Sequence, residues 1–161
     1  MVEVFVKNMV CNRCIKVIKN ELLEAGVAVT KVELGRVVYK SKNIACDSKK
    51  LEKVLDENGF ELLEGDDKIL IEKVKLSLIR FLENLPLQKS GTLSSYLSKE
   101  TETDYSRLSR IFSYTEKITV EKYFIKLKIE KVKELIQSKQ YNFTQISQLL
   151  DYTNVNYLSR Q

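Results

Sequence analysis

The chain has 161 residues, 43% hydrophobic and 30% charged, with five Gly, one Pro, three Cys, no His and a formal charge of +5. Such a composition excludes collagen-like and low-complexity chains, and no apolar run approaches the roughly 20 residues of a membrane helix. Without imidazole there is no Ser-His or Cys-His hydrolase and no His-rich zinc site, and an odd cysteine count in a chain of this length does not make a disulfide framework.

Residues 1–65 alternate strand and helix signals. Val2, Val4 and Val6 alternate with Glu3, Phe5 and Lys7, which predicts a strand. Glu3 and Lys7 also interrupt what a signal peptide would keep apolar, so a cytoplasmic protein is expected. Over residues 12–25, Ile15, Ile18, Leu22 and Ala25 share a helical face, and Gly26 stops the helix. Residues 29–34 and 37–39 read as two strands joined by a tight turn at Gly35-Arg36. A helix capped by Asp47 or Ser48 runs to about Asn58 with Leu51, Val54 and Leu55 inward; Gly59 ends it, and residues 60–63 give a fourth strand. The order βαββαβ is the split βαβ, ferredoxin-like arrangement.

After Gly65-Asp66-Asp67 the strand signal stops. A helix over 67–85 carries Ile71, Val74, Leu78, Phe81 or Leu82, and Leu85 on one face, and Pro86 and Gly91 mark the loop behind it. Helical pieces follow at about 92–100, 104–113, 119–138, 143–150 (with Thr144 as a cap) and from 154 onward. The 119–138 piece has two apolar rows, Ile125, Ile129, Val132 and Ile136 beside Val120, Phe124 and Leu127, which predicts a helix packed on both flanks. The expected fold class is α+β: a ferredoxin-like domain at 1–65, a connecting helix and loop at 66–91, and an all-α double helix-turn-helix domain at 92–161. Residues 1–65 hold 11 basic and 10 acidic residues; the remainder holds 16 and 12, so the basic surplus lies mostly in the helical part.

Cys11 and Cys14 fall between the first strand and the first helix. Two thiols three apart at a helix start converge, and the positive end of the helix, with Arg13 and Lys16, favours thiolate. Two soft ligands suit Cu(I) ahead of Zn(II), which wants four. A metal-donor protein or a second copy of the domain, as a homodimer, can complete the coordination. Cys46 follows the third strand, at the opposite end of the sheet from the pair, and reads as a bystander. A redox switch through a Cys11–Cys14 bond, or an interaction module without metal, uses the same residues. With Met9, Cys11 and Cys14 in this setting and Gly59-Phe60 at the late corner, residues 1–64 resemble a heavy-metal-associated domain, the fold of small copper chaperones. Asn8 stands where that family usually has Gly, and Val10 where it has Thr. The resemblance implies that Cys11 and Cys14 are the metal ligands and that Met9 is a buried loop anchor.

In the helical part, residues 104–112 place Leu108, Ile111 and Phe112 inward and Ser106, Arg107, Ser109 and Arg110 outward. Arg and short polar side chains on one exposed helix face suit a reader of the major groove of double-stranded DNA. A second unit runs from Thr144 to Tyr152 and on to Gln161, with Leu158 inward and Asn154, Asn156, Ser159 and Arg160 as its DNA-facing candidates. Two such units joined by a long helix resemble the AraC-type DNA-binding domain, carried by residues 105–112, 119–132, 146–152 and 157–161. Ser147 replaces the family's usual Ala and Asp151 its Gly, and the last helix is shorter than the family's, so the second unit is expected to be incomplete and DNA binding weak. The resulting expectation is a transcriptional regulator that responds to a soft metal and is not an enzyme, with a metallochaperone or metal buffer, or a non-metal interaction module, as the alternatives.

Overall fold

A computed structural model describes residues 1–87 and 91–160, without the side chain of Ser159. The expected loop at 88–90 and the terminal Gln161 lie outside the described residues. The fold is mixed α+β, with four strands in one antiparallel sheet and eight helices among the described residues. None of those helices is long and apolar enough to cross a membrane. The chain divides into two compact units, 1–76 and 77–161.

The first unit runs β1 (Val2–Lys7), α1 (Asn12–Glu24), β2 (Ala28–Glu33), β3 (Arg36–Lys40), α2 (Ile44–Glu57) and β4 (Glu61–Leu63), then the first part of α3 (Asp66–Glu83). The sheet order is β2-β3-β1-β4. Val2, Val4 and Val6 of β1, with Val37 and Tyr39 of β3, pack against Ile18 and Leu22 of α1 and Leu51, Val54 and Leu55 of α2. Each fully buried Leu or Ile there stabilises the fold by about 1.5–3 kcal/mol relative to exposure. Period-2 alternation therefore selects one sheet face for the helices, and a one-residue slip would turn every one of these valines away.

The other face of the sheet is covered at one end by α3. Lys73 Nζ lies 5.2 Å from the centre of the Phe5 ring. Leu76 packs at Gly35, where a built β-carbon would come within 2.5 Å of Leu76 Cδ1 and φ is +72°. The backbone angle favours glycine there, and a β-carbon would also oblige the Leu76 side chain to shift. Because Ile71, Glu72, Val74 and Leu76 are buried, this stretch belongs to the sheet unit, and the division falls inside α3 after Leu76 rather than at residue 65. The apolar row on α3 continues past the boundary, which is why it reads as one connecting helix in the sequence.

Two helix starts also differ from expectation. The cap of α2 is Asn43, whose side chain accepts the Cys46 N–H at 3.3 Å. Asp47 instead accepts the Ser41 hydroxyl at 2.6 Å, so the helix begins earlier than expected and takes Cys46 into its first turn. In the second unit, α7 (Phe143–Leu149) is capped by Asn142, not Thr144: the Asn142 side chain accepts the Gln145 N–H and the Gln145 side chain accepts the Asn142 N–H, both at 2.9 Å. The reciprocal pair satisfies two orphan donors where a lone Thr satisfies one.

The second unit contains the rest of α3, then α4 (Leu93–Thr101), α5 (Tyr105–Glu116), α6 (Val120–Ser138), α7 and α8 (Val155–Ser159). Helix α6 packs against α5 and α7, α4 pairs with α5, and α7 pairs with α8. Phe112 is fully buried, edge-on to Tyr123 at 5.4 Å between ring centres. Phe81 stacks between Tyr96 and Phe124. A separate cluster joins Leu82, Val132, Leu135, Ile146, Leu150 and Leu158. Leu158 is thus covered. Asp151 takes the left-handed turn at φ +53°, a conformation that Asp tolerates better than most residues. Helix α6 packs on both α5 and α7 as expected, and both rows are covered in part: Val120 and Val132 are buried, and Phe124, Leu127 and Ile129 are half-buried. Ile125 and Ile136, at the two ends of the first row, are each 40% exposed, and Leu135, outside both rows, is buried.

Candidate metal centre and nucleic-acid interface

The thiol pair sits where β1 hands over to α1. Cys11 is the residue before the helix, in extended conformation, and its side chain makes no capping hydrogen bond. The two sulfurs are 3.4 Å apart; Cys11 is exposed and Cys14 half-buried. The Cys11 thiol is held below the usual cysteine range, first by the backbone N–H of Cys14, then by the Cys14 thiol, the Arg13 N–H and the Arg13 charge. Convergent, accessible sulfurs with thiolate favoured are a donor set that fits a soft ion taking two sulfur ligands. Among the described residues no group of three or more Cys, Asp or Glu converges as a further metal site. The register explains why Cys46 does not join: Phe5 pairs with Arg36 and Val2 with Tyr39, so β3 leads away from the end of β1 that carries the pair, and Cys46 starts the helix at the far end.

The loop that carries the pair is fixed at two points. Met9 is fully buried in the sheet core. Asn8 stands at φ +71°; its backbone N–H donates to Glu72 Oε1 at 3.1 Å and its side-chain amide donates to the Gly59 carbonyl at 3.4 Å. Glu72 had no part in the expected site. Its signal in the sequence is a lone carboxylate in the row Ile69, Glu72, Leu76, Ile79 of α3, where helical spacing puts apolar residues on either side of it.

On the helical unit, Asp104 caps α5, accepting the N–H groups of Ser106 and Arg107 at 3.0 and 3.4 Å. Ser106, Arg107 and Arg110 are exposed along α5, and Leu108 and Phe112 are buried beneath them. Ser109 does not face out with them: it is half-buried, with its side chain against the Tyr105 phenol one turn back. Tyr105 donates to Glu121 Oε1 at 2.5 Å, tying the start of α5 to the start of α6. In the second pair, Asn156 and Arg160 are exposed. Asn154 is exposed too, but its side-chain oxygen caps α8 by accepting the Tyr157 N–H at 2.9 Å, which leaves only its amide NH2 to face a ligand. The side chain of Ser159 lies outside the described residues. Lys128 of α6 is withdrawn from the surface, its ammonium 3.9 Å from the centre of the Tyr152 ring. Burial holds it below the usual lysine range.

Comparison with known proteins adds no relative: no family model, no curated protein and no solved structure matches the chain.

Proposed function

We propose that the chain is a DNA-binding transcriptional regulator of the AraC type whose N-terminal ferredoxin-like, heavy-metal-associated domain holds one soft metal ion, Cu(I) before Zn(II), through Cys11 and Cys14. The observation that carries the DNA-binding reading is the arrangement around α6. A capped helix pair flanks it on each side: α5 exposes Ser106, Arg107 and Arg110 above buried Leu108 and Phe112, and α8 exposes Asn156 beside buried Leu158, with Arg160 exposed just past its end. Such a helix can enter a major groove, where Arg pairs with guanine edges and Asn with adenine. The metal reading is supported by the 3.4 Å thiol pair and the thiolate-favouring surroundings of Cys11.

The deciding experiment is a DNA-shift assay with genomic fragments at fixed salt, followed by titration of Cu(I) against a chromophoric chelator. The expected results are a preferred fragment over bulk DNA, one Cu(I) per chain, and loss of that ion in Cys11→Ser and Cys14→Ser but not in Cys46→Ser. Binding that ranks all fragments alike would end the regulator reading. Copper binding kept in that case would leave a metallochaperone or buffer.

A further inference from the structure

We propose that Glu72 is the positioning residue of the thiol pair: its carboxylate holds the left-handed turn at Asn8 from which the Cys11–Cys14 loop departs. The proposal rests on the reading that the pair binds a soft metal. The left-handed region is strained for residues other than glycine, less so for Asn than for most, and is held best where the surroundings over-determine it. At Asn8 two hydrogen bonds do this, and the shorter is the backbone N–H to Glu72 Oε1, at 3.1 Å against 3.4 Å for the side-chain amide to the Gly59 carbonyl. Glu72 is 7% exposed, and a carboxylate so buried needs its hydrogen bonds. It reaches the loop from α3, an element outside the six that make the sheet and its two helices, across 64 residues of chain. Between Asn8 and Cys11 stand only Met9, locked in the core, and Val10, which is exposed. The turn and the buried methionine together set where Cys11 begins α1. Holding both sulfurs in place before the ion arrives removes an ordering cost from binding.

The test uses the full chain with Glu72→Gln, which keeps an amide oxygen to accept the Asn8 N–H, and Glu72→Leu, which keeps bulk but accepts nothing. Three quantities are read: hydrogen exchange of the Asn8 amide without metal, Cu(I) affinity by chelator competition, and affinity for phenylarsine oxide, a trivalent arsenical that needs two thiols together. In Glu72→Leu, Asn8 exchange should accelerate and both affinities should fall about tenfold. In Glu72→Gln all three should stay within about threefold of the parent. Unchanged Asn8 exchange in Glu72→Leu, or a Gln variant as weak as the Leu variant, overturns the proposal. If the parent chain binds no Cu(I), the metal reading fails by itself, while Asn8 exchange and arsenical affinity still decide the role of Glu72. Should Glu72→Leu fold poorly, Glu72→Met, which fills similar space and offers no carbonyl acceptor, takes its place with the same expected outcomes, and Asn8→Gly adds a second background for whichever of the two folds. Glycine removes the backbone strain, so that variant placed on Asn8→Gly should lose less than threefold in arsenical affinity; an undiminished tenfold loss there also overturns it.

Discussion

The helix starts of the two units are built to different ends. Each of α4 to α8 in the helical unit opens on a side chain that accepts a backbone N–H: Thr92, Asp104, Thr119, Asn142 and Asn154. In the sheet unit Asn43 does the same for α2, but α1 opens on Cys11, which caps nothing. A capped start satisfies its first donors internally, and its positive end is partly neutralised. An uncapped start leaves donors and field for whatever sits before it, and here that is a thiol. The comparison teaches that one position, the residue before the helix, decides whether the first donors of a helix are met by a capping side chain or left open.

The largest expected effect separates the two cores. Phe112→Ala removes the fully buried ring under α5 and should cost the helical unit about 3–5 kcal/mol in chemical denaturation. DNA binding should disappear and the copper titration of the sheet unit should persist. Simultaneous loss of both would show that the units do not stand apart. Next comes the exposed face of α5. Arg110→Ala should cost about 1–3 kcal/mol at the preferred DNA site and relax one base position. Lys122→Ala should weaken all sequences alike and flatten the salt dependence. Equal, sequence-independent losses from the two would remove α5 as the reading helix.

Exchanging the two kinds of helix start sharpens the comparison directly. Cys11→Asp supplies α1 with the missing cap and should stabilise the sheet unit by about 0.5–2 kcal/mol while abolishing the proposed copper site. Asn142→Ala should destabilise the helical unit by about 0.5–2 kcal/mol. Thermal melts of both variants read the pair; a Cys11→Asp chain no more stable than its parent would mean that α1 has no donors left to satisfy.

The smallest effect is a pH dependence peculiar to the helical unit. Tyr105 is pushed up to about 12, first by burial, then by its hydrogen bond to Glu121 and the Glu121 charge. The folded form thus keeps the phenol proton longer than the unfolded chain, whose tyrosine titrates near 10. The stability that comes from the raised phenol is fully present below that pH and is lost as pH rises from about 10 to about 12. Denaturation at steps across that range should show a steeper fall for the parent than for Tyr105→Phe. Parallel curves would mean that the bond to Glu121 does not distinguish folded from unfolded.

Much of the sheet unit is legible in the sequence because its cues are local. The valine alternation of β1, the Gly35 turn and the stop at Gly26 each follow from two or three neighbouring residues. The caps at Asn43 and Asn142 were equally local but lost to rival residues: Asp47, Ser48 and Thr144 are equally good cap types, and only the backbone path chooses among them. Ser109 shows a different gap. Its helix face follows from spacing, yet contact with Tyr105 one turn back withdraws it from solvent.

Sequence alone determined the element order, the inward rows of β1, α1 and α2, and the placing of Cys11 and Cys14 at a helix start, since all of these depend on periods of 2 or 3.6 residues and on local turn chemistry. Tertiary structure alone decided where the units divide, which apolar residues of α6 are covered, and that a carboxyl from α3 accepts the Asn8 N–H in the loop before the thiols. Those outcomes depend on contacts between residues far apart in the chain, and such contacts are chosen by packing and by the need of each buried polar group for a partner, neither of which leaves a period to read.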